Sequence, residues 1–310
     1  MLAAGLAASA GSRLCGQDTR TVTEPAFPPV CTTTAAETII SAGEPASETD
    51  DTLIQPALAA CGSGKAVELT LNSNGNNAFV IAPIAIPNGV TLIVDGGVTV
   101  FASKNAADYQ IGAVSSSQDQ CGTVGPNGNG CNPLISIGES TVNGTSSSTG
   151  SGLMGYGVIN GRGADKITVN GSVTTTSWWD LANIARSGGS QNNPVLVIGY
   201  KATSGVMYKI TLLNSPHYHV SIHYNNGFTA WGIKILSPFT ARNSDGFDPS
   251  GATNLTVNNS VIGDGDDEIA VGGDLPPFSQ PFITGVSQLC WWLWLAKEAG
   301  PWPGFLRGRA

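Results

Sequence analysis

Three phrases in the second half of the chain share one pattern. They are Ile210-Thr-Leu-Leu-Asn-Ser215, Ile233-Lys-Ile-Leu-Ser-Pro238 and Leu255-Thr-Val-Asn-Asn-Ser260, spaced at nearly equal intervals. Each reads as an alternating strand closed by a small polar turn. A fixed period of roughly 20–50 residues marks solenoids and propellers. This one is too short for a four-stranded propeller blade but suits a parallel β-helix coil of about three short strands. Stacked coils bury their inward apolar residues against one another. A β-sandwich with evenly spaced strands is the competing architecture; the period favours the solenoid.

The rest of the chain agrees. From about Val67 short apolar runs alternate with Asn/Gly/Ser turns, and every asparagine lies between Asn72 and Asn259. Asparagine tolerates left-handed backbone and satisfies turn amides, so this region is dense in turns and strands. Forty glycines and a charged fraction of only 12% exclude a coiled coil. No strict three-residue glycine period exists, which excludes collagen. The net charge of −8 argues against nucleic acid as a partner. No apolar run reaches the length of about 18 residues that a transmembrane helix needs.

Residues 1–17 resemble a partial signal peptide without its basic front end. Residues 18–66 read as a lead-in plus a helical cap, with the helix over about Ala35 to Ala60 and Gly62-Ser63-Gly64 ending it. Residues 67–273 read as the solenoid. After Gly273 the asparagines stop, no repeat follows, and four of seven tryptophans crowd together beyond Cys290. This stretch, 274–310, reads as an atypical tail, a frameshifted or mis-called end or else an amphipathic anchor or lid. Cys121 and Cys131 flank a Gly/Asn-rich loop and are a candidate disulfide; Cys31 and Cys61 are a second. No CxxC pair exists, so a zinc site is not expected. Paired cysteines imply an oxidising compartment, hence a secreted protein.

Acidic residues are concentrated. Asp245, Asp248, Asp264, Asp266, Asp267 and Glu268 crowd one short stretch of a charge-poor chain. Asp245 and Asp266 are almost one coil apart, which would stack them on adjacent rungs. Carboxylates packed this way raise one another's pKa. Three explanations stand side by side: glycoside hydrolysis by paired carboxylates, a calcium loop, and carboxylates that cap turn amides.

The phrases Asn243-Ser-Asp-Gly-Phe-Asp248 and Gly265-Asp-Asp267, one coil apart, resemble the N-T-D-G-x-D and G-D-D motifs of glycoside hydrolase family 28, the polygalacturonases. Supporting phrases are Gly155-Tyr-Gly-Val-Ile-Asn-Gly-Arg-Gly163, Trp178-Trp-Asp180, Gln191-Asn-Asn-Pro194 and Asn214-Ser-Pro216. The resemblance implies an all-β, right-handed parallel β-helix with coils of about 22 residues and a short N-terminal helical cap. It implies a secreted, monomeric enzyme that hydrolyses α-1,4-galacturonosyl linkages of pectin or polygalacturonate. No cofactor, metal, nucleic acid or membrane is implied. By the same resemblance Asp266 is the general acid, and Asp245 and Asp267 hold and activate the attacking water. Asn243, Gly246 and Asp248 shape the site, and Gly265 gives the chain freedom to bend both aspartates into one cleft.

The family's Gly-His-Gly and Arg-x-Lys motifs find no match, which leaves a non-catalytic β-helix that binds acidic polysaccharide as the alternative. The only histidines are His217, His219 and His223. Alternation places them on one strand face, where a role in the substrate cleft or on the strand surface is expected over a metal triad, with His223 counted among the site-shaping residues.

Overall fold

The computed structural model describes residues 21–37, 50–112, 119–138 and 149–271. The signal-like segment 1–17, Cys15, Cys290 and the tail 274–310 lie outside them. Three parallel sheets of seven, six and five strands form the body. Successive strands of one coil enter different sheets, and each strand pairs with its counterpart in the next coil. In the five-stranded sheet Ile84–Ile86, Ile135–Ile137, Val197–Tyr200, Val220–His223 and Phe247–Ser250 follow one another in this way. This is a parallel β-helix.

Period-two alternation sends one set of side chains inward. In the six-stranded sheet Phe79, Val100, Ile159, Leu212, Ile235 and Ile262 pair in register as a single ladder. The first five of these are fully buried. In the seven-stranded sheet Val67, Leu92, Leu153, Met207, Ala230 and Val257 form the matching ladder. Apolar residues stacked on apolar residues along the axis are the core. Many turns between strands use left-handed backbone, and among the described residues asparagine supplies five of the ten non-glycine positions that adopt it: Asn170, Asn214, Asn243, Asn254 and Asn259.

The repeat differs from expectation in its phase. Thr211 pairs with Lys234, and Leu213 with Leu236, so the first two phrases are true counterparts. Leu255-Thr-Val is not the third member: Thr256–Asn258 lies in the seven-stranded sheet on Thr229–Trp231. The true partner of Lys234–Leu236 is Val261–Gly263, which makes this coil four positions longer than the one before. The other two sheets take the same longer step at this coil. The cause is one long turn. Ten residues, 237–246, join Leu236 to Phe247, where six, 214–219, join Leu213 to Val220.

The N-terminal end also differs. Val30–Ala35 is a strand, paired parallel with Ala66–Thr70, so the seven-stranded sheet begins inside segment 18–66. A Cys-Thr-Thr-Thr run of mostly β-branched residues favours strand over helix. The helix, α1, spans Asp51–Ala60 rather than Ala35 to Ala60. It covers the end of the solenoid with Ile54 and Leu58 fully buried. Disulfides join Cys31 to Cys61 and Cys121 to Cys131, as the spacing suggested. Ahead of the first strand, Phe27 packs on Tyr208 of the seven-stranded sheet and on Tyr156, just past that sheet's strand Gly152–Gly155. Glu24 accepts from Tyr208 Oη at 2.8 Å and pairs with Lys209 at 3.2 Å.

Candidate active site

On the five-stranded sheet Val220, Ile222 and Phe247 point inward, fully buried. Ser221, His223, Asp248 and Ser250 therefore face outward. Register sets Ser221 beside Asp248 and His223 beside Ser250. The next coil arrives through a bridge between Phe247 and Ile269. Gly246 N donates to Asp267 O at 2.9 Å, and Phe247 N to Glu268 O at 3.1 Å. Counting back from that bridge sets Asp267, rather than Asp266, opposite Asp245. Asp266 joins from the side: its Oδ2 accepts from Asn243 N at 3.3 Å. Asp245, Asp266, Asp267, Asn243, Gly246 and Asp248 all gather at this one place.

Burial dominates the electrostatics. Asp245 is 8% exposed. Its carboxyl is pushed up to about 7, first by loss of water, then by the charges of Asp266, Asp267 and Asp264. Asp248 rises to about 8 by burial and by the charge of Asp245. Asp264 rises to about 7 by burial, against the pull of the bond it accepts from Asp266 N at 2.9 Å. Asp245 Oδ1, Asp248 Oδ1 and Asp264 Oδ2 are buried with no hydrogen-bond partner among the described residues. A buried carboxylate without a partner favours its protonated form. Asp245, Asp248 and Asp264 are accordingly biased toward their protonated forms near neutral pH. Asp266 and Asp267 are exposed at the cluster's outer edge. Such a group can both give a proton and hold a water.

Close packing sets the backbone. A Cβ at Gly265 would lie 1.8 Å from Ala241 O, and one at Gly246 would lie 2.4 Å from Ile262 Cγ2 and 2.7 Å from Asp264 Oδ2. Gly265 is thus required by lack of room rather than by the freedom to bend expected of it. Ser244, fully buried, fastens the two coils: its Oγ donates to Ala241 O at 2.7 Å and accepts from Gly265 N at 3.1 Å.

The histidines do not share a strand face. Only His223 is in a strand, because the chain turns through 214–219 before Val220. His223 Nε2 bonds Ser221 Oγ at 2.8 Å, on the sheet's outer surface beside the aspartates. His219 is fully buried and structural, with Nδ1 at 3.1 Å from Ser244 O and Nε2 at 3.0 Å from Ser237 Oγ. His217 Nε2 accepts from Asn243 Nδ2 at 2.8 Å, and its ring stacks on Tyr218 at 3.9 Å. Burial pushes both His217 and His219 down to about 4, so both are neutral at pH 5 and above. Among the described residues no group of three or more His, Cys, Asp or Glu is placed to hold a metal ion.

The supporting phrases build the wall. Helix α2, Trp178–Ala185, starts in a capping box formed by Ser177 and Asp180. Trp179 Nε1 donates to Ser215 O at 2.8 Å, and Asn193 Nδ2 donates to Trp178 O at 2.7 Å and Pro216 O at 3.0 Å. Gly161 and Gly163 leave the space that Pro216 and Trp179 occupy. Phrases far apart in sequence thereby fix α2 against the turn that carries His217. A cleft of about 370 Å³ lies between them, and Asn243 forms part of its lining.

A sequence profile for glycosyl hydrolases family 28 matches residues 89–275. An endo-polygalacturonase of Pectobacterium carotovorum subsp. carotovorum is 37% identical over 271 residues, covering 87% of this chain and 60% of the relative. A polygalacturonase of Ralstonia nicotianae is 35% identical over 291 residues, covering 81% and 52%. Among solved structures, the polygalacturonase from Erwinia carotovora ssp. carotovora superposes with a TM-score of 0.71 at 38% identity, over 83% of this chain and 61% of that one. A family 28 exopolygalacturonase of Yersinia enterocolitica, at 17% identity and TM-score 0.56, shares the fold. The chain spans about 60% of the length of the Pectobacterium relative.

Proposed function

Since the chain belongs to glycosyl hydrolases family 28, we propose that it hydrolyses α-1,4-galacturonosyl linkages in pectin or polygalacturonate, by single displacement with inversion. Asp266 gives its proton to the glycosidic oxygen as the bond to C1 breaks. Asp245 and Asp267 position a water on the opposite face and take its proton as the new bond to C1 forms. An inverting pair needs roughly 6.5–9.5 Å between carboxyls to admit that water. The observation that carries this reading is the convergence of Asp245, Asp266 and Asp267 across one coil, with Asp266 at the exposed edge. Both similar relatives named above are polygalacturonases, which supports the substrate class.

The enzyme works outside the cell, a placement supported by two disulfides. It acts as a monomer, without nucleic acid or membrane, in keeping with its net charge of −8. The test is release of reducing ends from polygalacturonate. Asp266→Asn is expected to lower the rate by about three orders of magnitude, since general acid catalysis typically contributes roughly 10²–10⁴-fold. A rate within a few-fold of the parent would remove Asp266 from the reaction.

A further inference from the structure

The ten-residue turn that breaks the phase of the repeat carries a cation into the cleft. Arg242 lies between two anchored neighbours. Ala241 is fully buried, packed against Gly265, with its carbonyl held by Ser244 Oγ. Asn243 has left-handed backbone, φ 58°, with its side chain on His217 and its amide on Asp266. The backbone of Arg242 is thereby held one residue from the aspartate cluster, yet its side chain pairs with none of it. Among the described residues no carboxylate forms an ion pair with Arg242. It lines the cleft with Asn243, His217 and Tyr218 on one side and Gln191 and Asn127 on the other. No Asp or Glu lines this cleft. With His217 neutral, Arg242 is its single charge, on a chain of net charge −8.

A guanidinium lining a polar cleft is matched to a carboxylate, which it can bind through two parallel hydrogen bonds. The volume of about 370 Å³ falls within the range of small-molecule sites, roughly 300–1,000 Å³. We propose that this cleft is a uronate subsite adjoining the point of cleavage, in which Arg242 grips the sugar carboxylate and Asn243 and Gln191 meet its hydroxyls. The inference rests on the polygalacturonate reading and deepens it. Arg242 is then a specificity residue: it separates free galacturonate from its methyl ester, whose neutral carbonyl offers the guanidinium little.

Binding tests this without cleavage. The full chain carrying Asp266→Asn is titrated calorimetrically with tetragalacturonate and, separately, with its methyl-esterified form. Adding Arg242→Gln is expected to weaken tetragalacturonate about ten-fold or more, the scale of a charged hydrogen bond. Affinity for the ester should stay within two-fold, and Arg242→Lys should fall between. Circular dichroism melts of each variant report whether the fold is kept. Tetragalacturonate affinity unchanged by Arg242→Gln would overturn the subsite and leave the hydrolase reading standing. Equal losses for acid and ester would overturn the carboxylate assignment. If the Asp266→Asn chain binds neither sugar, the substrate reading fails and the subsite falls with it.

Discussion

Asp264 has lost its water without gaining a full set of partners. One oxygen accepts from Asp266 N, and the other is buried and unpartnered. Its folded value, about 7, lies above the ordinary 3.8, so between these the folded chain binds more protons than the unfolded one. Stability from this group is therefore present in full below about 4 and lost as pH rises through about 7. Asp245 and Asp248 act in the same direction. Asp264→Asn keeps the bond to Asp266 N and removes the charge. It is expected to raise the melting temperature at pH 8 more than at pH 4.5, with thermal melts across that range as the measurement. A larger gain at pH 4.5 would contradict the burial argument. The motif residues were legible because their spacing and order are diagnostic. Asp264 stood in the same acidic phrase, but nothing in a sequence says which of four neighbouring acids loses its water. The histidines misled for a related reason: alternation holds only inside a strand, and the chain reaches Val220 through a turn.

Among the elements, the turn 237–246 does most to define the site, since it holds Ala241, Arg242, Asn243 and Ser244 against the Gly265 coil. The contact has no slack. Gly265→Ala would place a methyl 1.8 Å from a backbone oxygen that cannot swing away. Overpacking typically costs roughly 1–3 kcal/mol, so urea unfolding of Gly265→Ala should show a lower midpoint by about that amount of stability, together with lost hydrolysis. Full stability in that variant would mean that the two coils separate easily. The same turn explains what the repeat did and did not reveal. Ile210 and Ile233 are true counterparts because the coil between them has its ordinary length. Leu255 appeared to continue the series only because four added residues in the turn brought a strand of another sheet to nearly the expected position. A period read from apolar phrases registers chain length, while the ladder registers space, and the two part wherever a turn grows.

Across the whole molecule each coil is stabilised by its neighbours, so the two ends differ from the middle. The N-terminal end is covered by α1 and closed by Cys31–Cys61, a link across a sequence separation of 30. Loop-closure entropy gives such a link about 3–4 kcal/mol. Replacing both cysteines with serine should lower the free energy of unfolding by that much, read from denaturant titration. Replacing Cys121 and Cys131, whose sequence separation is only 10 and which close the loop carrying Asn127 and Gly128 of the cleft lining, should have a smaller effect. The lengthened coil has one further consequence. Its four added residues disturb none of the three ladders, which resume in register on either side. Scaffold and chemistry thus vary independently: inward positions are constrained by every coil above and below, whereas a turn answers only to what it touches outside. Such a chain can lengthen one turn, present a new side chain at its surface, and leave the column on which it stands untouched.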